Sequence, residues 1–146
     1  MNHKTIFLLM MVLITGCAKK DAHLEEDLSP RFEKAMGYFD KSKFSRAKSE
    51  FDYIIMANPG SKIANESQYY LAESMFQIAE YDEASIGFDR YIRFSSDFTK
   101  IEQSRYRICE CAINLSNSYQ RDQSQTQRAL EQLQMFIEDF STSDLV

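Results

Sequence analysis

The segment Ser67-Gln68-Tyr69-Tyr70-Leu71-Ala72-Glu73 recurs 37 residues later as Ser104-Arg105-Tyr106-Arg107-Ile108-Cys109-Glu110. Ser, Tyr and Glu are kept, and Leu/Ile and Ala/Cys are close exchanges. One more step of 37 towards the N-terminus reaches Phe32, Lys34, Ala35 and Met36. Two columns emerge: an aromatic one (Phe32, Tyr69, Tyr106) and a small one (Ala35, Ala72, Cys109). A second pair of columns follows at the same spacing, Phe44 and Ala47 before Phe51, then Tyr81 and Ala84 before Phe88. A third copy, through Ala129 and Leu133, is displaced by 45, and the eight additional residues fall in the polar stretch 116–123. A repeat of this length means stacked copies of one small unit that share a continuous core.

Within each unit, apolar residues return three and four apart, the period of an α-helix, and no segment alternates with period two. Each unit therefore reads as two helices. Ser29-Pro30, a capping residue followed by proline at the first turn, opens the first. Its partner runs from about Ser45 to Ala57 and stops before Pro59-Gly60. Unit two gives helices near Ser61–Ile78 and Asp82–Phe94. Unit three opens at Thr99-Lys100-Ile101-Glu102, a capping-box pattern, and runs to about Leu115. Its second helix opens at Ser124-Gln125-Thr126-Gln127 and ends near Phe140. The expected fold is all-α: a solenoid of about six antiparallel helices over 29–146, in units of about 29–60, 61–97 and 98–141.

A different signal precedes the repeats. Lys4 is followed by the apolar run Ile6–Ile14, then by Thr15-Gly16-Cys17. Nine apolar residues are too few to span a bilayer, which needs about 20. A basic start, a short apolar run and small residues before a cleavage point make a secretory signal, here 1–16. The Cys after Thr-Gly resembles the lipobox of bacterial lipoproteins, which implies acylation of Cys17. Ala18 follows it, where Asp would resemble an inner-membrane retention signal. The charged stretch 18–28 then reads as a linker between the anchor at Cys17 and the first helix.

Composition narrows the function. The formal net charge is −5, which disfavours nucleic acid as a partner. Cys109 and Cys111 lie two apart and so point to different faces of a helix, poorly placed for a disulfide with each other. The two histidines, His3 and His23, fall outside the repeats. No metal constellation, glycine-rich phosphate loop or nucleophile beside a base is present, so neither an enzyme nor a cofactor is expected beyond a covalent lipid on Cys17. Cys109, in the small column, reads as a packing residue.

An aromatic, then Asp-Glu-Ala, then a further aromatic, as in Tyr81-Asp82-Glu83-Ala84 before Phe88, resembles the tetratricopeptide repeat. Ala35, Ala72 and Cys109 match the small position of its first helix, and Ala47, Ala84 and Ala129 that of its second. The unit exceeds the usual length of that repeat, and its terminal proline is kept only as Pro59. A lipobox, a short polar linker and such units together resemble BamD-like outer-membrane assembly lipoproteins. These carry a stretch similar to Arg121-Asp122-Gln123-Ser124-Gln125-Thr126, ahead of Ala129-Leu130 and Phe136-Ile137. The resemblance implies an outer-membrane, lipid-anchored protein on the periplasmic face that helps recognise and insert unfolded β-barrel proteins. It also implies contact with the barrel component BamA through later repeats that do not occur in this sequence. Leu130, Leu133, Phe136, Ile137 and Phe140 are then expected to form an uncovered stripe, either because the sequence is a truncated gene product or because the stripe docks onto something.

Stacked helix pairs leave a concave face lined by first helices. The columns place Phe32, Met36, Phe39 and Asp40 there, with Tyr69, Glu73, Phe76 and Gln77 from unit two and Tyr106, Glu110, Ile113 and Asn114 from unit three. Aromatic faces flanked by carboxylates suit an extended peptide with apolar and some basic side chains. Phe39 and Phe76 fit either inter-repeat packing or the groove, and Glu73 and Glu110 fit either the groove or a solvated face. The competing readings are another periplasmic repeat lipoprotein, such as a pilotin or an envelope scaffold, or a tether that recognises no client.

Overall fold

The computed structural model describes residues 27–118 and 123–145, and these form six α-helices in three antiparallel pairs. They are α1 (Ser29–Phe39) with α2 (Phe44–Ala57), α3 (Lys62–Gln77) with α4 (Tyr81–Phe94), and α5 (Phe98–Ser118) with α6 (Gln123–Asp139). Each helix packs on the next in chain order, and α1 also touches α3. This is the tetratricopeptide-like array that the repeat implies. The signal segment 1–16 lies outside the described residues, as do Cys17 and the linker apart from Asp27 and Leu28. Arg121 and Asp122 lie outside them too.

The helix starts show where local sequence acts and where the simple reading misplaced it. At α3, Ser61 Oγ accepts the Ala64 N–H at 3.1 Å, an ordinary N-cap. At α1 the capping atom is not on Ser29. Asp27 Oδ1 accepts the Ser29 N–H at 3.0 Å, and Pro30 fills the first turn, where its missing N–H costs nothing. At α5 the expected cap Thr99 is already helical. Asp97 Oδ1 accepts the Lys100 N–H at 3.1 Å instead, and Ser95 Oγ accepts the Asp97 N–H. The long insertion before α6 is also not all loop, because α5 continues to Ser118. The turn between α3 and α4 needs a left-handed residue, and Ala79 supplies it at φ 61°.

The repeat columns become the core. Ala35, Ala72 and Cys109 are buried, as are Ala47, Ala84 and Ala129, so each pair of helices closes on two small residues. Phe51 and Phe88 fill the space between units, each fully buried. A further column, Ile54, Tyr91 and Phe136, is equally buried. At Gly87 the contact is so close that an added Cβ would stand 2.9 Å from Ala72 Cβ. Gln68 Nε2 donates to the Gly87 carbonyl across the same contact. The expected uncovered stripe on α6 is only partly uncovered. Phe136 is buried against Tyr106, Leu133 and Phe140 are half-buried, and Leu130 and Ile137 face solvent.

Candidate functional site

The first helices α1, α3 and α5 line a cleft of about 450 Å³. Its walls are aromatic (Phe39, Tyr69, Tyr70, Tyr106) and its polar groups are Glu73, Lys100, Gln103 and Arg107. Leu145, beyond α6, reaches its edge. The rings are locked by one another: Phe39 meets Tyr70 edge-on at 5.4 Å between centroids, and Tyr69 meets Tyr70 at 5.3 Å. Such edge-to-face pairs hold the rings in fixed orientations and so keep the cleft walls in place without a ligand.

Three side-chain rungs join α3 to α5, and in each the partners are 34 residues apart. Glu66 pairs with Lys100 at the first rung. At the second, the Tyr69 hydroxyl donates to Gln103 Oε1 at 3.1 Å. At the third, Arg107 Nε donates to Glu73 Oε1 at 2.8 Å. Arg107 also reaches Glu110 Oε2 through Nη1 at 2.6 Å, and its guanidinium lies 4.6 Å from the centre of the Phe76 ring. The Lys100 ammonium sits 5.1 Å from the ring centres of both Tyr69 and Tyr70. Cations over aromatic faces and beside carboxylates are held in position while retaining their charge.

The protonation states are set by this packing. Burial pushes the Tyr69 phenol well above its usual range, with the Glu73 carboxylate adding to it, so the hydroxyl stays a donor. Burial works against the charge on Arg107, but its bonds to Glu73 and Glu110 outweigh burial and hold the guanidinium protonated. Lys100 behaves the same way, with Glu66 overcoming the cost of burial. Below the cleft, burial raises the Cys109 thiol to about 11 and the Cys111 thiol to about 12. Both are inert packing groups, and Cys109 Sγ donates to the Gln132 carbonyl. Among the described residues no cluster of His, Cys, Asp or Glu could hold a metal, and no helix is long and apolar enough to cross a membrane.

The structure brings together some of the residues that the sequence nominated and separates others. Phe39, Tyr69, Glu73 and Tyr106 line the cleft. Phe76 and Glu110 stand beside it, joined to it through Arg107. Phe32 and Met36 are turned into packing instead: Phe32 lies edge-on to Phe51 at 5.8 Å, and Met36 packs on the same cluster. Asp40 is exposed just past the end of α1, Gln77 is exposed as the last residue of α3, and Asn114 bonds back to the Glu110 carbonyl. Cys17 lies outside the described residues. Glu73 is not on a solvated face, since it is only 6% exposed. The residues that sequence reasoning missed are Tyr70, Lys100, Gln103 and Arg107. Their signal was the pairing of Glu66 with Lys100 and Glu73 with Arg107 at a spacing of 34, three short of the repeat.

Residues 25–145 match the family of YfiO, described as an outer membrane lipoprotein. The chain is also similar to the outer membrane protein assembly factor BamD of Rickettsia prowazekii (strain Madrid E), with 25% identity over 121 residues. That alignment takes in 82% of this chain and 48% of the relative, so the chain spans about half of the relative's length. With the helix pairs, the packing columns and the first-helix cleft in place, the match over most of the sequence assigns the chain: it belongs to the YfiO family of outer membrane lipoproteins.

Proposed function

We propose that this protein is a lipid-anchored component of the β-barrel assembly machinery, held at the periplasmic face of the outer membrane through Cys17, and that its first-helix cleft receives segments of unfolded barrel proteins. The role is binding and assembly, not catalysis. The observation that carries the reading is the cleft itself. Phe39, Tyr69, Tyr70 and Tyr106 offer aromatic faces for apolar side chains, and Gln103, Glu73 and Arg107 offer polar groups that orient an extended backbone. The 1–16 segment acts as the export signal, 17–28 as anchor and linker, and contact with BamA is part of the proposal. The relative's description as an assembly factor supports the reading. The second reading is a periplasmic repeat scaffold that binds partners without recognising barrel clients.

The test is a titration of the mature chain with a fluorescent peptide copying the terminal strand of an outer-membrane barrel protein, followed by anisotropy. A scrambled peptide of the same composition is the control. Saturable binding that prefers the true strand, and that Tyr69→Ala with Tyr106→Ala weakens at least about tenfold, supports the client-receptor reading. Equal binding of both peptides by the cooperatively folded protein favours the scaffold.

A further inference from the structure

Among the described residues, the three most exposed large apolar side chains are Phe98 (84%), Phe94 (75%) and Met56 (74%). They are not scattered. Met56 is the last residue but one of α2, Phe94 closes α4 and Phe98 opens α5, so all three sit at or beside unit-to-unit turns. Those turns share one edge of the array. Asn65, at the start of α3, donates to the Phe94 carbonyl at the end of α4, and Glu66 near the start of α3 pairs with Lys100 near the start of α5. The start of α1 belongs to the same edge. Leu28 packs in one cluster with Ile54, and the Arg31 guanidinium lies 3.7 Å from the centre of the Tyr53 ring, both near the end of α2.

A depression of about 640 Å³ lies on this edge between units one and two. Ile55, Pro59, Ala64 and Phe94 give it apolar walls, and Lys62 and Arg90 line it as well. Neither cation pairs with a carboxylate among the described residues. Isolated apolar side chains on a surface need no explanation, but an aromatic tip beside unpaired cations, as Phe94 stands by Lys62 and Arg90, matches the chemistry of a bilayer interface. There, rings settle at headgroup depth and cations meet phosphates. Phe98 lies farther along the edge, beside Glu102, Asp139 and Asp144.

We propose that this edge rests on the lipid surface, with Phe94, Phe98 and Met56 entering the interface and Lys62 and Arg90 meeting anionic headgroups. The proposal rests on the anchoring of the chain through Cys17. The polypeptide joins the array at this same edge, and Leu28 lies eleven residues on from Cys17. Even fully extended, that linker spans at most about 38 Å. An anchored chain therefore keeps this edge within about 40 Å of the bilayer. With the edge seated, the cleft-bearing helices run away from the bilayer from their starts, so that the cleft opens along the membrane surface.

The sequence contains no tryptophan, which makes single reporters unambiguous. Phe94→Trp, Phe98→Trp and Ile86→Trp are each made in the full lipoprotein. The variants are reconstituted into vesicles of phosphatidylethanolamine and phosphatidylglycerol with brominated acyl chains. Ile86 is exposed on the middle of α4, away from the turns, and serves as the control. The expected result is a blue shift and at least about twofold quenching at positions 94 and 98, with little at 86. Quenching that does not exceed the control at either position overturns the proposal and leaves these side chains to a protein partner. The anchor is scored separately, by the mass of the purified protein. If that mass shows no acyl chains on Cys17, the same reporters are read after coupling Cys17 to a maleimide lipid, which tests the edge independently of how the chain is attached. The buried Cys109 and Cys111 thiols do not compete for that coupling.

Discussion

Glu73 and Arg107 face each other across two successive first helices, 2.8 Å apart, with the carboxylate side chain 7% exposed and the guanidinium side chain 29% exposed. A carboxylate this deep is tolerable only because the guanidinium answers it, and Arg107 in turn is shared with Glu110 and laid over Phe76. Removing the cation strands a buried negative charge, which costs more than the pair contributes when intact. Arg107→Ala is expected to destabilise the fold by about 1–3 kcal/mol, less than for a fully buried pair because the arginine is partly solvated. Glu73→Gln combined with Arg107→Ala is expected to be more stable than Arg107→Ala alone. Urea denaturation midpoints decide it, and a double variant no better than the single one would show that Glu73 is not stranded.

Gly87 carries the opposite of the usual expectation for a helical glycine. Replacing glycine by alanine inside a helix ordinarily stabilises by roughly 0.5–1 kcal/mol. Here the new methyl meets Ala72 Cβ at 2.9 Å, with Ala72 Cα at 3.4 Å behind it. Gly87→Ala is expected to destabilise by about 1–3 kcal/mol through overpacking. Ala72→Gly in the same chain should recover part of that loss, measured as a coupling energy between the two sites. Stabilisation by Gly87→Ala would mean that α3 and α4 separate more easily than their contact implies.

Ser67 and Ser104 occupy one repeat position, and both hydroxyls are buried without a hydrogen-bond partner. The position asks for a small side chain, and the oxygen is surplus to that. Alanine at either site is expected to be neutral or to stabilise by up to about 1 kcal/mol. Thermal and chemical denaturation of the two single variants check it. Loss of stability in both would show that the hydroxyls are satisfied in solution.

Alkaline pH should weaken the fold before any backbone chemistry begins. In the unfolded chain the thiols ionise near about 8.5. In the folded chain burial holds Cys109 up to about 11 and Cys111 up to about 12. Between those values the unfolded state binds fewer protons, so stability is complete below the lower value and falls as pH rises. Burial raises the Tyr69 and Tyr91 phenols too, which extends the fall at higher pH. The melting temperature is expected to decline steadily above about pH 8.5, and Cys109→Ala with Cys111→Ala should flatten the early part of the decline. A thiol-reactive dye should label neither cysteine until the chain unfolds.

The architecture was legible because packing obeys the repeat. Ala35, Ala72 and Cys109 stand out in the sequence and are buried in the structure, since one geometry of helix contact admits one size of residue. Helix ends were less legible. Asp27 and Asp97 took the capping roles that Ser29 and Thr99 were expected to fill, because a cap is chosen by backbone direction at the turn, and residue type alone does not reveal it. The cleft was half legible. Tyr69, Glu73 and Tyr106 follow from the columns, but Phe32, from the same aromatic column as Tyr69, is packed against Phe51 and Tyr70. Tyr69 packs on Phe88 in the same way, but its hydroxyl also reaches Gln103 at the cleft, and Phe32 has no hydroxyl to place there. Lys100 and Arg107 were hidden because a column aligns equivalent residues and does not show which residues oppose each other.

The difference between a repeat of 37 and rungs of 34 has a consequence for how such an array can grow. A unit copied by duplication arrives with its columns intact, because every column residue is copied in phase. Its rungs arrive only if the unit holds both halves, because each rung joins one position to the position three short of its equivalent in the next unit. Unit three holds both halves of two rungs, Tyr106 with Gln103 and Glu110 with Arg107, so a copy placed behind it would form those two at once, but Gln103 would stand where Glu66 answers Lys100. Packing is thus inherited with a copy of any unit, whereas the lining of the cleft is inherited only from a unit that carries both halves of each rung.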